Sequence, residues 1–406
     1  MKSLATSKTP HFNHYRRFNM NEKQLVELTS ELSQERRRFL EVAGRFGFGT
    51  AVIAGMSGTL WSDSAVAQTA ADEERKEKNA KVRMNFATEY KIEDYVKYPV
   101  MQAKWKENLE TLSKNQIFCK LFPAGQLGVG AALAQKIQAG TVNGGAVSLS
   151  NFSPYAPAVD LINIPYWCGD NQRYANLVTS KAWNDEITPK VAAKGYQPLF
   201  YYTVDPRVIA SRKGFKLIKT PSDMQGVKMR VPPSKLLQTF YRLAGANPTV
   251  VAWGETASAI KQGVADALDP AIAALATFGF VDILAHVSYI RSVPDAQLFS
   301  ANAAWYNALP SDLRKVFDEA AIKTQIDTFA QIAPARTESM RLMRAGGCQF
   351  YNPSAAEMKQ WVDACGEQRK EYDEFKLAFA GSLDKFEMLK KAANTKGSIT
   401  VPEFNL

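Results

Sequence analysis

The chain has 406 residues, 46% apolar and 22% charged, which is long enough for two domains with full cores and unlike a disordered or fibrous protein. Its 50 Lys and Arg against 40 Asp and Glu give a formal charge of +10, but no basic block interleaved with aromatics occurs, so no nucleic-acid partner is expected. Four cysteines without a C-x-x-C pair exclude a disulfide-dense scaffold and disfavour structural zinc. Of the three histidines, His11 and His14 fall in an N-terminal leader, leaving His286 alone. Metal hydrolases and His-based triads are therefore poor candidates, and no metal or cofactor is expected.

The leader comes first in chain order. Arg36-Arg37-Arg38-Phe39-Leu40 precedes a moderately apolar run from Val42 to Trp61, and Ala65-Val66-Ala67 then offers a small-x-small cleavage site. Arg45 and five glycines within the run make it a weak membrane anchor. Arg36-Arg37-x-Phe39-Leu40 resembles the twin-arginine export signal, with Glu41 where Lys is usual. The expectation is a signal over residues 1–67, cleavage after Ala67, and a soluble periplasmic product. Residues 68–81, with the mixed charges of Asp72 to Lys81, are expected to be a flexible lead-in.

Beyond it the pattern alternates. Val82, Met84 and Phe86 mark a strand and Trp105, Leu109 and Leu112 a helix from about Val100. Ile117, Cys119 and Leu121 mark a second strand, Leu133 to Ile137 a helix, and Val142 to Leu149 a third strand. That order implies a parallel sheet with ligand near the strands' carboxyl ends, here the loops beginning near Asn85, Pro123 and Ser148. A second α/β unit starts near Tyr202, with strands at 227–231 and 248–252 and helices at 234–244 and 255–263. Thr220-Pro221-Ser222-Asp223 and Ser354 with Glu357 carry helix-start grammar. From Pro310 to about Met343 a helical pattern is long enough to bridge two domains.

Phe122-Pro123-Ala124-Gly125-Gln126-Leu127-Gly128, Gln138-Ala139-Gly140-Thr141-Val142-Asn143 and Ile164-Pro165-Tyr166 stand in order along the first unit. Pro221 to Val231 follows, reading P-x-D-x-x-G-x-K-x-R-V, then Leu243 to Pro248, Gly254-Glu255 and Gln262 to Asp266. This series, over about residues 81 to 345, resembles the dicarboxylate-binding type of periplasmic solute-binding protein of TRAP transporters. The resemblance implies an α/β fold, a two-domain clamshell with mixed, mostly parallel sheets and a long bridging helix. Residues 82–203 with about 296–335 would form domain I, and 204–295 with about 336–396 domain II. It also implies an organic carboxylate as ligand and two partners, the small and large membrane subunits of a sodium-driven permease.

Arg230 falls on the carboxylate-clamping arginine of that family. Its strand alternates, so Lys228 and Arg230 share the face opposite Val227, Met229 and Val231, and a planar guanidinium matches a carboxylate bidentately. By the same resemblance Arg207 is a second ligand arginine or a domain-junction ion pair, Asn85 a first-strand contact, and Trp253 an aromatic contact or core residue. Ser148 and Asn151 fall in the loop after the third strand. Asp269 lies where relatives often carry Asn before Pro, and an acid there would repel a second carboxylate unless it accepts a hydroxyl or amine. Tyr201 and Tyr202 fit a hinge or the core. The opposing readings are an exported enzyme, for which no G-x-G-x-x-G, haem or iron–sulfur motif exists, and a protein presenting ligand to a sensor. Cys348 with Cys365, or Cys119 with Cys168, could pair or remain free thiols.

Overall fold

The computed structural model describes residues 63–402, so Arg36, Arg37 and the apolar run after them lie outside the described residues. The chain divides into residues 1–71 and 72–406, and the architecture below is that of the second unit. The stretch expected as a flexible lead-in continues a helix, Asp63–Asn79, that passes through Ala67. Two of its charges, Glu73 and Lys76, are drawn into an ion-pair cluster rather than left solvated. Lys106 Nζ lies 2.9 Å from Glu73 Oε2 and also bonds Glu110, with Lys106 and Glu110 almost fully buried, while Lys76 Nζ is 3.2 Å from Glu110 Oε2.

Two sheets organise the unit. The first contains β1 (Val82–Thr88), β2 (Ile117–Phe122), β3 (Gly144–Ser148), β4 (Tyr196–Pro206) and β10 (Pro294–Asn302), in the order β2-β1-β3-β10-β4. β1 pairs parallel with β2 and β3, as the alternating pattern predicts, whereas β10 runs antiparallel between β3 and β4. Two glycines open β3 because nothing larger fits: a Cβ on Gly145 would stand 2.5 Å from the Ala87 carbonyl oxygen. The second sheet contains β5 (Ile209–Arg212), β6 (Lys228–Val231), β7 (Asn247–Val250), β8 (Ala267–Leu268), β9 (Leu284–Ser288) and β11 (Gln349–Tyr351), ordered β11-β9-β5-β8-β6-β7. β6 is parallel to both β7 and β8.

Each sheet has its own apolar core. Phe86, Trp105, Phe299 and Phe317 are buried together in the first lobe, with Trp105 and Phe317 crossing edge to face at 5.0 Å. Met229, Leu237, Phe240 and Trp361 fill one side of the second sheet, and Leu268, Leu275, Val287 and Met343 the other. Tyr201 and Tyr202 belong to the first core.

The predicted long helix is Ser311–Ala345, 35 residues or about 52 Å. Phe317, Phe329 and Ile332 on it enter the first core, and Met340 and Met343 the second, so it does bridge the lobes. The tail departs from the sequence expectation that residues 336–396 join domain II. Trp361 and Cys365 pack in the second lobe, but Tyr372, Phe386 and Leu389 return to the first. Helix-start grammar holds at Ser354, which caps Ala355–Cys365 in a capping box with Glu357, and shrinks to one 3₁₀ turn, Pro221–Met224, after Thr220. At the β4–β5 crossing Asp205 gathers Asn171 (3.0 Å), Tyr289 (3.0 Å) and Arg336 (2.8 Å).

Candidate functional site

A cavity forms where strand ends of the two sheets meet, and the sequence explains how its walls are held. From the first lobe come Glu89 and Tyr90, directly after β1. The Pro123–Gly128 loop clasps them: Ala124 N–H donates to the Tyr90 carbonyl (3.0 Å) and Gly125 N–H to that of Thr88 (2.9 Å). Ala124 and Gly125 both take left-handed backbone, φ 54° and 73°, which explains a glycine at the second position. The Gly130 N–H, opening the helix Gly130–Gln138, then donates to Glu89 Oε2 at 2.9 Å. Burial raises the Glu89 carboxyl above its ordinary value, against the pull of that N–H.

Ser148 at the end of β3 and Asn151 just beyond it also line the cavity. β10 faces them from the opposite direction. Its antiparallel register sets Gln297 beside Ser148, so the amino end of β10 delivers Asp295 and Gln297 to the same wall. Tyr90 Oη donates to Gln297 Oε1 (3.0 Å) and accepts from Tyr98 Oη (3.0 Å), with the two tyrosine rings stacked at 4.3 Å.

The second lobe contributes Arg230 on β6, only 2% exposed. Its Nε and Nη2 both donate to the Val251 carbonyl, at 3.1 and 2.9 Å, and its guanidinium lies 5.1 Å from the Trp253 ring centre. Those two bonds occupy one edge of the fork and leave the outer edge, Nη1 with the second Nη2 hydrogen, to the cavity. Among the described residues no carboxylate pairs with Arg230 within 4 Å. Burial lowers its pKa to about 10, partly offset by the nearby Asp269 charge.

Arg207 is the opposite case. Nη1 bonds Asp269 Oδ1 (3.1 Å), and Nη2 bonds Asp295 Oδ1 (2.8 Å) and Ser150 Oγ (3.3 Å). Burial pulls its pKa down, yet the Asp295 and Asp269 charges outweigh that and hold it above the usual arginine value. Arg207 therefore lines the cavity already compensated by two acids. Such a site, with one uncommitted buried guanidinium, aromatic walls and polar groups from both lobes, can enclose a small anion and release it when the lobes part.

Residues 88–375, more than half of the chain, match the family model described as bacterial extracellular solute-binding protein, family 7. The chain belongs to that family. These are the solute-binding proteins of TRAP transporters. This member is 26% identical over 220 residues to a solute-binding protein of Roseobacter denitrificans, covering 54% of this chain and 66% of that one. It is 24% identical over 264 residues, 64% of this chain and 78% of the relative, to the C4-dicarboxylate-binding periplasmic protein DctP of Rhodobacter capsulatus. Its fold matches the sugar acid binding protein DctPAm of Advenella mimigardefordensis in complex with galactonate, with a TM-score of 0.69, 18% identity, and 77% and 97% of the two chains covered.

In this solute-binding protein five of the seven residues singled out in the sequence line the cavity: Ser148, Asn151, Arg207, Arg230 and Trp253. Two do not. Asn85 is exposed three residues before the end of β1, opposite Lys120, and its N–H bonds the Asn143 side chain at 2.8 Å. Asp269, fully buried, stands behind the wall and holds Arg207. Burial raises its carboxyl pKa, with the Arg207 and Arg230 charges opposing. Sequence reasoning missed Glu89, Tyr90, Tyr98, Phe278, Asp295 and Gln297. Glu89 and Tyr90 were within reach, since they follow the first strand directly. Asp295 and Gln297 were not, because the carboxyl-end rule fails for an antiparallel strand.

Proposed function

We propose that this protein captures a small organic acid outside the cytoplasm, clamps its carboxylate on Arg230 as the lobes close, and presents it to the two membrane subunits of a TRAP permease. The observation that carries the reading is the contrast between the two cavity arginines: Arg207 is shared between two acids, whereas Arg230 pairs with no carboxylate among the described residues and keeps an uncommitted edge of its buried fork. A carboxylate arriving there replaces its hydration with two parallel charge-assisted bonds in a low-dielectric cleft. The C4-dicarboxylate and galactonate named for relatives share that functional group. Ser148 and Asn151 line the cavity for the ligand's polar groups, and Trp253 already lies under Arg230.

Export by the twin-arginine route, cleavage after Ala67 and periplasmic residence complete the proposal. No described helix is long and apolar enough to cross a membrane. The test is a thermal-shift screen of the purified mature protein against organic acids, followed by small-angle scattering with the best binder. One-to-one binding with a smaller radius of gyration supports the proposal. A released chemical product would replace it with an enzyme.

A further inference from the structure

We infer that the solute is a zwitterion, with its carboxylate on Arg230 and a cationic nitrogen held between Glu89 and the rings of Tyr90, Tyr98 and Phe278. This rests on the carboxylate reading above and narrows its substrate class. The charge tally of the site argues for it. Two cations, Arg207 and Arg230, stand with three carboxylates, Glu89, Asp269 and Asp295, all nine-tenths or more buried. Arg207 is shared between Asp269 and Asp295, so that trio is already one negative charge in excess. Arg230 and Glu89 cancel in sign. A dicarboxylate would bring the enclosed excess to three negative charges and a hydroxy acid to two, whereas a zwitterion leaves it at one.

The walls also suit a cation. Glu89 accepts the Gly130 N–H on Oε2 and is also polarised by the Tyr90 hydroxyl, which turns its carboxylate toward the cavity wall it shares with that ring. Tyr90, Tyr98 and Phe278 form an aromatic corner beside it, with Phe278 edge-on to Tyr90 at 5.6 Å and to Tyr98 at 6.4 Å. Ring faces next to a carboxylate attract ammonium and quaternary nitrogen and offer nothing to a second carboxylate. Trp253 already carries Arg230, and Tyr90 and Tyr98 stack on each other at 4.3 Å, which leaves Phe278 and the outer tyrosine faces for the ligand. Burial raises the Glu89 pKa, and a cation beside it would oppose that shift.

The experiment uses matched acids of roughly three to six carbons whose far end is a carboxylate, a hydroxyl, an ammonium or a trimethylammonium group, titrated calorimetrically into the mature protein. The best ammonium or trimethylammonium acid should bind about tenfold or more tighter than the dicarboxylate and hydroxy acid of the same length. Glu89→Gln should erase that preference, and Arg230→Ala should weaken every probe. The wild-type ranking decides even where Glu89→Gln does not fold. Dicarboxylates or hydroxy acids that bind as tightly, with Arg230 still required, would overturn the zwitterion and leave the clamp standing. Binding indifferent to Arg230 would remove the clamp itself, and no binding across the panel would overturn the zwitterion.

Discussion

The Arg230 guanidinium lies 5.1 Å from the centre of the Trp253 ring, while the carbonyl of Val251, two residues earlier, accepts from its Nε and Nη2. One short segment therefore both stacks and aims the arginine. Trp253→Ala should weaken solute binding by about 0.5–2 kcal/mol, the range of a cation–π contact from exposed to desolvated, and Trp253→Phe should lose less. Calorimetry on the two variants checks the order. Equal losses would assign Trp253 a packing role against Phe278 and Phe280 instead.

Lys106 pairs with Glu73 and Glu110 and donates to the Cys119 carbonyl at 2.8 Å, all inside the first lobe. Lys106→Met strips two buried carboxylates of that partner and should cost about 3–5 kcal/mol of stability. Combining it with Glu73→Gln and Glu110→Gln should recover much of the loss. Urea unfolding of the single and triple variants measures both, and a triple variant no better than the single one would contradict the account.

Much of this was legible in the residues. Strict alternation marked β1, and the P-x-D-x-x-G-x-K-x-R-V run placed Arg230 on its strand, since period and turn chemistry are local properties. The helix Asp63–Asn79 was not legible, because its charges look solvated until Lys106, thirty residues on, closes the cluster. Asp269 reads as a site residue beside Pro270, but only the tertiary fold shows Arg207 standing between it and the cavity. Nor could spacing reveal that the tail helix carrying Phe386 and Leu389 crosses back to the first lobe, for an amphipathic helix does not name its partner.

Glu89 provides a pH test. Its carboxyl is raised by burial above the ordinary 4.5, so the folded protein holds that proton more tightly than the unfolded chain does. The stability this confers is complete below the unfolded value and is lost as pH rises through the higher folded one. Ligand-free wild type should therefore lose stability relative to Glu89→Gln as pH climbs from 4.5 toward neutrality. Thermal unfolding of both proteins across that window reads the difference, and parallel curves would contradict it.

All four cysteines are free and buried. Burial pushes the Cys348 thiol up to about 11 and Cys365 to about 12, so neither forms thiolate readily. The native protein should resist a thiol reagent and expose four reactive thiols on unfolding. An intact mass that rises by two hydrogens on reduction would reveal a disulfide and contradict this.

The central claim is that Arg230 holds the solute's carboxylate in the closed cleft. Calorimetric titration of wild type, Arg230→Ala and Arg230→Lys with the acid selected by screening tests it most directly. The alanine variant should lose about 2–5 kcal/mol, or roughly 30-fold to several-thousand-fold in affinity. The lysine variant should recover part of this, because a point charge restores attraction without the two parallel bonds. A folded Arg230→Ala protein that binds within about threefold of wild type would contradict the claim.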